Sequence, residues 1–389
     1  MKIRESGPHR ISRCAVHLAV GLLGFCVARP VLALPGGPVE IFVDVPAGLE
    51  SFTGSVPVTF GIPFEDGEFA PSDSVTMTDG GSNPIPAQFE VTSSWPSGDV
   101  RWILVDMLVD IVSGAVGQYF FCTGCPPPPV YPLMSVSESP TEISVATGGQ
   151  SFVINELNGA MGHFVLNSTS GPESKTFTAG QNGNYTLSLE THGPIRTVAK
   201  MTGDYTAPDA STRGQFITRV RAYAGLPYVR VYHTIIWDED DTPTIDRLYY
   251  APTDVPSNGM ASIGIDDSTI GPASIMAYRQ HDWDAVHDVS ESSAGTHLDG
   301  WIQVEDVGDG LFAAVRWPWQ QHPLGFSFSS GELTVGLMRP NGTMSLAAND
   351  VVVPDLVDYT NSNWNLATNS GPYTSLSPRG VGKTYEILI

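Results

Sequence analysis

Gln215–Trp237 reads QFITRVRAYAGLPYVRVYHTIIW, and this stretch decides the fold class. Two runs of β-branched and aromatic residues flank Gly225, Leu226 and Pro227, which is the pattern of a β-hairpin. Side chains alternate along a strand. Tyr228, Arg230, Tyr232 and Thr234 therefore share one face of the returning run, while Val229, Val231, His233 and Ile235 share the other. Arg219, Arg221 and Tyr223 line the incoming run in the same way. The hairpin is expected to bury its aliphatic face and to turn its Arg and Tyr face to solvent or to a second sheet.

Composition carries this reading to the whole chain. The 389 residues include 40 Gly and 31 Pro but only 15% charged residues, a balance that favours short strands and turns over helices. Between Ile41 and Cys122, apolar runs alternate with turn signals such as Asp79-Gly80-Gly81-Ser82 and Pro96-Ser97-Gly98-Asp99. This is enough for a small barrel over residues 35–132. Pro126–Pro129 supplies a stiff spacer. Residues 133–389 carry many further strand-like runs, and their length suits a sandwich of two sheets. The expected class is all-β, a small N-terminal β-barrel followed by a large β-sandwich. Val255–Ser293 is mixed and polar and reads as an elaborated loop system.

Residues 1–33 read as a signal peptide. Lys2, Arg4, Arg10 and Arg13 precede the apolar run Ala15–Ala28, and Val31-Leu32-Ala33 supplies a cleavage site. A membrane anchor is the alternative, but the run is short and ends at Arg29. The expectation is a secreted, periplasmic or cell-surface protein with no membrane span after signal removal. Removing five cations and one acid moves the net charge from −22 to −26, which disfavours nucleic acid as a partner. Cys122 and Cys125 then remain. They could form a tight disulfide, half of a metal site or two free thiols, and a structural disulfide is the favoured reading.

Two stretches concentrate side chains capable of sugar chemistry. Arg316-Trp317-Pro318-Trp319-Gln320-Gln321-His322 places a cation, two indoles, two amides and an imidazole together. Indoles stack on sugar rings, amides bond hydroxyls and Arg forks a carboxylate. Trp317, Trp319, Gln320 and Gln321 are therefore candidate substrate contacts, with Arg316 and His322 as candidate catalytic groups. The competing reading has the indoles filling space between sheets. The second stretch runs from Tyr278 to Asp288 and includes His281, Trp283 and His287, with His297 and Asp299 beyond it. His281 is a candidate base and Trp283 a candidate sugar contact, because carboxylates beside an imidazole hold its pKa in a working range. These histidines lack compact metal-ligand spacing, so no metal site is assigned, and the sequence leaves any cofactor open. Lys383, beside Tyr385 and Glu386, could pair with a substrate carboxylate or with a structural acid.

The motifs also stand in a recognisable order. Val58–Glu68 (VTFGIPFEDGE), Pro86–Val91, Trp95–Trp102 and Val105-Asp106 resemble the N-terminal barrel domain of the exo-rhamnogalacturonan lyase family. Gly193–Val198, the hairpin, Ala314–Pro323 and Gly382–Glu386 are similar to that family's central β-sandwich. The resemblance implies a polysaccharide partner of the pectin type, containing uronic acid, and cleavage by β-elimination. It also implies a C-terminal α/α toroid after the last motif, where this sequence ends at Ile389. The chain is therefore expected to be either a fragment or a β-only relative. Tyr385 stands where the family's pattern has His, so no role is carried over with it, and it is a candidate catalytic residue by its own chemistry and its place in the closing motif. A non-catalytic carbohydrate-binding or cell-surface β module is the alternative function.

Overall fold

The computed structural model describes residues 27–31, 39–44, 53–112, 117–123, 125, 134–170, 173–238, 244–282, 284–288, 290, 292–321, 324–338, 344–345 and 382–389. Among them there is no α-helix, only a single 3-10 turn at Gln181–Gly183 and strands. The chain divides into two compact units, Met1–Pro132 and Leu133–Ile389.

In the first unit, a five-stranded sheet runs in the order Val27–Val31, Val39–Asp44, Gly117–Thr123, Val75–Asp79, Pro84–Ile85. A three-stranded sheet places Val100–Ile111 between Gly54–Pro63 and Ala87–Ser94. Their inward side chains share one core that includes Ile41, Val58, Phe60, Met77, Val105 and Phe121. The two longest strands carry most of this core, with Val56, Val58, Phe60 and Ile62 on one and Ile103, Val105, Met107, Val109 and Ile111 on the other. Cys122 and Cys125 are joined as a disulfide at the end of the Gly117–Thr123 strand.

The second unit is the sandwich. One array of nine described strands runs Tyr185–His192, Arg196–Thr206, Thr212–Tyr223, Val229–Ile236, Gly382–Leu388, Asp309–Val315, Leu298–Asp306, Met260–Ile265, Ser268–Ala273. The opposing array runs Glu173–Ala179, Gly162–Ser170, Thr244–Pro252, Glu332–Met338, Gly325–Ser329, Ile275–Asp282, Ala285–Asp288, Ser293–Gly295. Ladder hydrogen bonding passes between the arrays where Thr178 and Ala179 meet Thr206 and Tyr205, so the two arrays are joined at that end. Both arrays turn apolar side chains into one core, among them Phe164, Leu248, Phe326 and Val335 from one side and Phe216, Val231, Ile302 and Ile387 from the other. Each fully buried side chain of this kind contributes about 1.5–3 kcal/mol.

The hairpin lies in the middle of the first array, with Thr212–Tyr223 and Val229–Ile236 paired antiparallel. Its inner face is apolar except for Thr218 and His233. His233 is fully buried, with Thr218 Oγ1 at 2.7 Å from Nδ1 and the Tyr205 hydroxyl bonded to Nε2. Burial lowers its pKa to about 3, so it is neutral. The outer face is less open than alternation alone suggests. Arg230 and Tyr223 are 5% and 3% exposed, because long side chains on this face pack on one another.

The loop system expected over Val255–Ser293 is instead largely strand, with Met260–Ile265, Ser268–Ala273, Ile275–Asp282 and Ala285–Asp288 all in the sandwich. Ser268–Ala273 has no buried side chain, and this explains why the segment reads as loop. A strand that faces no core carries no apolar period.

Candidate functional site

The outer face of the first array gathers the chain's scarce cations. Register sets Lys200 opposite Arg219, Arg219 opposite Tyr232, and Tyr232 opposite Glu386. One step along, Arg221 lies opposite Arg230. Arg316 follows the Asp309–Val315 strand, and its backbone N–H donates to the carbonyl of Glu386 at 3.1 Å. Five of the chain's 19 Lys and Arg residues thus meet two acids, Glu190 and Glu386, on one face of a protein whose net charge is −22.

The side chains are tightly ordered. Arg219 forks Glu190 through Nε at 2.6 Å and Nη2 at 2.9 Å, with Lys200 Nζ 3.2 Å from the same carboxylate. The hydrogen bond from Arg219 holds the Glu190 pKa below its ordinary value. Tyr232 donates to Glu386 Oε1 at 3.0 Å, and Arg316 Nη1 donates to Oε2 at 2.8 Å. The guanidinium of Arg221 stacks over the Tyr232 ring at 4.4 Å, and that of Arg316 over the Trp317 ring at 4.0 Å. Burial, reinforced by the Glu386 charge, raises the Tyr232 pKa, so the phenol stays protonated and able to donate. Three cations keep donors in reserve. Arg221 Nε, Arg230 Nε and Arg316 Nη2 are buried with no hydrogen-bond partner in the protein.

The turn after Arg316 is held by Gln321, whose backbone N–H donates to Trp317 O at 3.1 Å and whose amide donates to Arg316 O at 2.6 Å. The Oε1 atoms of Gln320 and Gln321 are buried without donors. Trp317 sits at φ 52° and is 54% exposed, a left-handed conformation that costs a bulky residue on the order of 1 kcal/mol and keeps one indole face accessible. Trp319 packs against the His297 ring, centroids 4.8 Å apart.

The structure divides the residues expected from sequence. Arg316 joins Glu386, Tyr232 and Trp317 on the outer face. Tyr385 does not. It is fully buried within the core, opposite His233, which removes it from the expected catalytic group. Alternation along Gly382–Leu388 sends Lys383 and Tyr385 inward and Glu386 outward. Lys383 accordingly lies over the Tyr385 ring at 4.9 Å, on the opposite face of the sheet from Arg316. His322 and Trp283 lie outside the described residues, as does the side chain of His281. His297 stands 3.6 Å from Asp284 and 3.9 Å from Asp266. Among the described residues no three His, Cys, Asp or Glu side chains converge as a metal set. Arg221, Arg230 and Tyr232 had a sequence signal, Arg or Tyr at every second position of both hairpin runs, but no single run showed that the two sets meet.

Comparison with known proteins follows the same division into two units. No curated protein matches the chain. Among solved structures it is similar to an alpha-mannosidase from Enterococcus faecalis V583, at 11% identity and TM-score 0.46, over 91% of this chain and 43% of that one. It is also similar to a protein in the Glycosyl Hydrolase Family 38 from Enterococcus faecalis, at 9% identity and TM-score 0.47, over 91% and 44%. The chain spans less than half the length of either. Residues 50–105 match the PcRGLX-like N-terminal RIFT barrel domain, and residues 135–248 match the PcRGLX-like protein central beta sandwich domain. These two matches, in the same order along the chain, bear out the resemblance to the exo-rhamnogalacturonan lyase family.

Proposed function

We propose that the protein is exported and binds uronic-acid-containing polysaccharide of the pectin type on its cationic sheet face, cleaving it by β-elimination. The observation that carries this reading is the gathering of Lys200, Arg219, Arg221, Arg230 and Arg316 on one sheet face of a protein whose net charge is −22. A uronate carboxylate on such a face gains charge-assisted hydrogen bonds from guanidinium groups.

Arg221 and Arg230 take the uronate carboxylate, and neutralising it weakens the C5–H bond. The C5 proton passes to Glu386, the C4–O bond breaks, and a C4–C5 double bond forms. Tyr232 gives its phenolic proton to the leaving oxygen. The 3.0 Å hydrogen bond between Tyr232 and Glu386 then returns the proton and resets both groups. Arg316 acts through Glu386, fixing the carboxylate at 2.8 Å. Trp317 offers its exposed indole face to a neighbouring sugar ring.

Ultraviolet absorbance of unsaturated products released from rhamnogalacturonan tests the assignment. Tyr232→Phe is expected to lower the rate roughly 10²–10⁴-fold while leaving affinity within a few-fold. A variant as fast as the parent overturns the proton relay. A second reading, binding without cleavage, is favoured by the fact that both Glu386 oxygens are already engaged. It is the one retained if the parent protein binds the polysaccharide and releases no unsaturated product.

A further inference from the structure

The same sheet face carries a second, chemically different surface. Arg221 lies opposite Arg230, Arg230 opposite Leu388, Leu388 opposite Ala314, and Ala314 opposite Trp301. One row of side chains therefore crosses from the cations to an indole. With strands spaced about 4.8 Å apart, Trp301 lies roughly 14 Å from Arg230. Trp301 does not stand alone. Phe312 is diagonal to it on the adjacent strand, the planes of the two rings are nearly parallel at 19°, and their centroids are 6.3 Å apart. Phe312 is 38% exposed.

The indole is laid down rather than upright. A Cβ on Gly264 of the neighbouring strand would collide with the Trp301 indole nitrogen and with the Asp299 carboxylate, so the missing side chain is what lets the ring lie across the strand. This presents an aromatic surface parallel to the sheet. Its polar surround is the reverse of the arginine region. Asp299 stands at one end, and Gln303 and Glu305, hydrogen-bonded to each other, stand at the other. Carboxylates and an amide there accept from hydroxyls and repel a second carboxylate.

We propose that Trp301 and Phe312 form a stacking platform for an uncharged pyranose. The weakly positive C–H groups on one face of a sugar ring lie against the negative faces of the two aromatic rings, while its hydroxyls donate to Asp299, Gln303 and Glu305. The platform and the arginine row together read a glycan that carries both uncharged and acidic sugars, and this joint reading rests on the uronate binding proposed above.

Calorimetric titration of the full chain with neutral galacto-, xylo-, manno- and cello-oligosaccharides, and separately with oligogalacturonate, tests the platform. At least one neutral oligosaccharide is expected to bind, and Trp301→Ala and Phe312→Ala are each expected to weaken it tenfold or more. Oligogalacturonate affinity should stay within twofold in both variants. Arg221→Met with Arg230→Met should give the opposite pattern. Phe312 lies at the surface, so this variant keeps the test valid if Trp301→Ala lowers the unfolding midpoint. The platform is overturned if no neutral oligosaccharide binds the parent protein, or if both aromatic variants bind as the parent does. It is also overturned if they instead abolish a concentration-dependent dimer. Retained oligogalacturonate binding in the arginine variants would sink the uronate reading and leave the platform standing.

Discussion

His233 and Arg230 are three residues apart on one strand, both are buried, and they face opposite ways. Each ring nitrogen of His233 has a hydroxyl partner, and the residue is neutral. Arg230 is held among tyrosines, stays charged and keeps an Nε with no partner. The polar groups around His233 on the inner face are matched to one another, whereas those around Arg230 on the outer face are only partly matched. An inner polar cluster of this kind specifies packing, because a satisfied network fixes one arrangement of the core. An outer set with spare donors is poised for something the protein does not itself supply.

That contrast can be broken most forcefully on the inside. His233→Ala removes a ring stacked on Phe164 at a 3.5 Å centroid distance and leaves two buried hydroxyls without their partner. A loss of about 3–5 kcal/mol in urea unfolding is expected, from cavity and unsatisfied groups together. A loss below about 1 kcal/mol would mean that the cluster is not structural. On the outside, Arg230→Met should leave unfolding within about 1 kcal/mol, or raise stability, since an apolar chain replaces a partly satisfied buried charge. Oligogalacturonate affinity should fall about tenfold or more, as befits a lost charge-assisted hydrogen bond. Unchanged affinity would remove Arg230 from the binding face.

Acid titration sharpens the inner half further. The unfolded chain protonates His233 near its ordinary pKa of 6.5, but the folded chain does so only near 3. The stabilising contribution is therefore complete above about pH 6.5 and is lost as pH falls toward 3, with a slope of at most about 1.4 kcal/mol per pH unit. His233→Gln should flatten that portion of the stability profile, and a slope equal to the parent's would contradict the assignment. The smallest effect belongs to the exposed rim of the outer face. Glu190→Gln loosens the fork with Arg219 and should cost no more than about 1 kcal/mol, because solvent screens the pair. It should also strengthen oligogalacturonate binding slightly by freeing Arg219, a change visible in the same titration.

The sequence made the hairpin and the all-β class legible because period-two alternation is strong where one face is buried. Arg316 and Trp317 were legible because a compact cluster of unlike functional groups is itself a signal. Tyr385 was misplaced for a physical reason. Lys383, Tyr385 and Glu386 look like one motif in a line of text, yet a strand throws neighbours to opposite faces, and only the register with Val229–Ile236 decides which residue goes inward. Trp301 and Phe312 were passed over because nothing local links residues eleven apart. Their meeting depends on the turn between Leu298–Asp306 and Asp309–Val315.

The Ser268–Ala273 strand, which buries nothing, has a consequence for solubility. Among the described residues it pairs only with Met260–Ile265, so its far side is an unpaired ladder edge. An edge of that kind is a template on which another copy can add. Pro272 has no backbone N–H to offer a further strand. The polarity that hid this strand from a hydrophobic reading therefore also makes it a poor template for edge-to-edge growth.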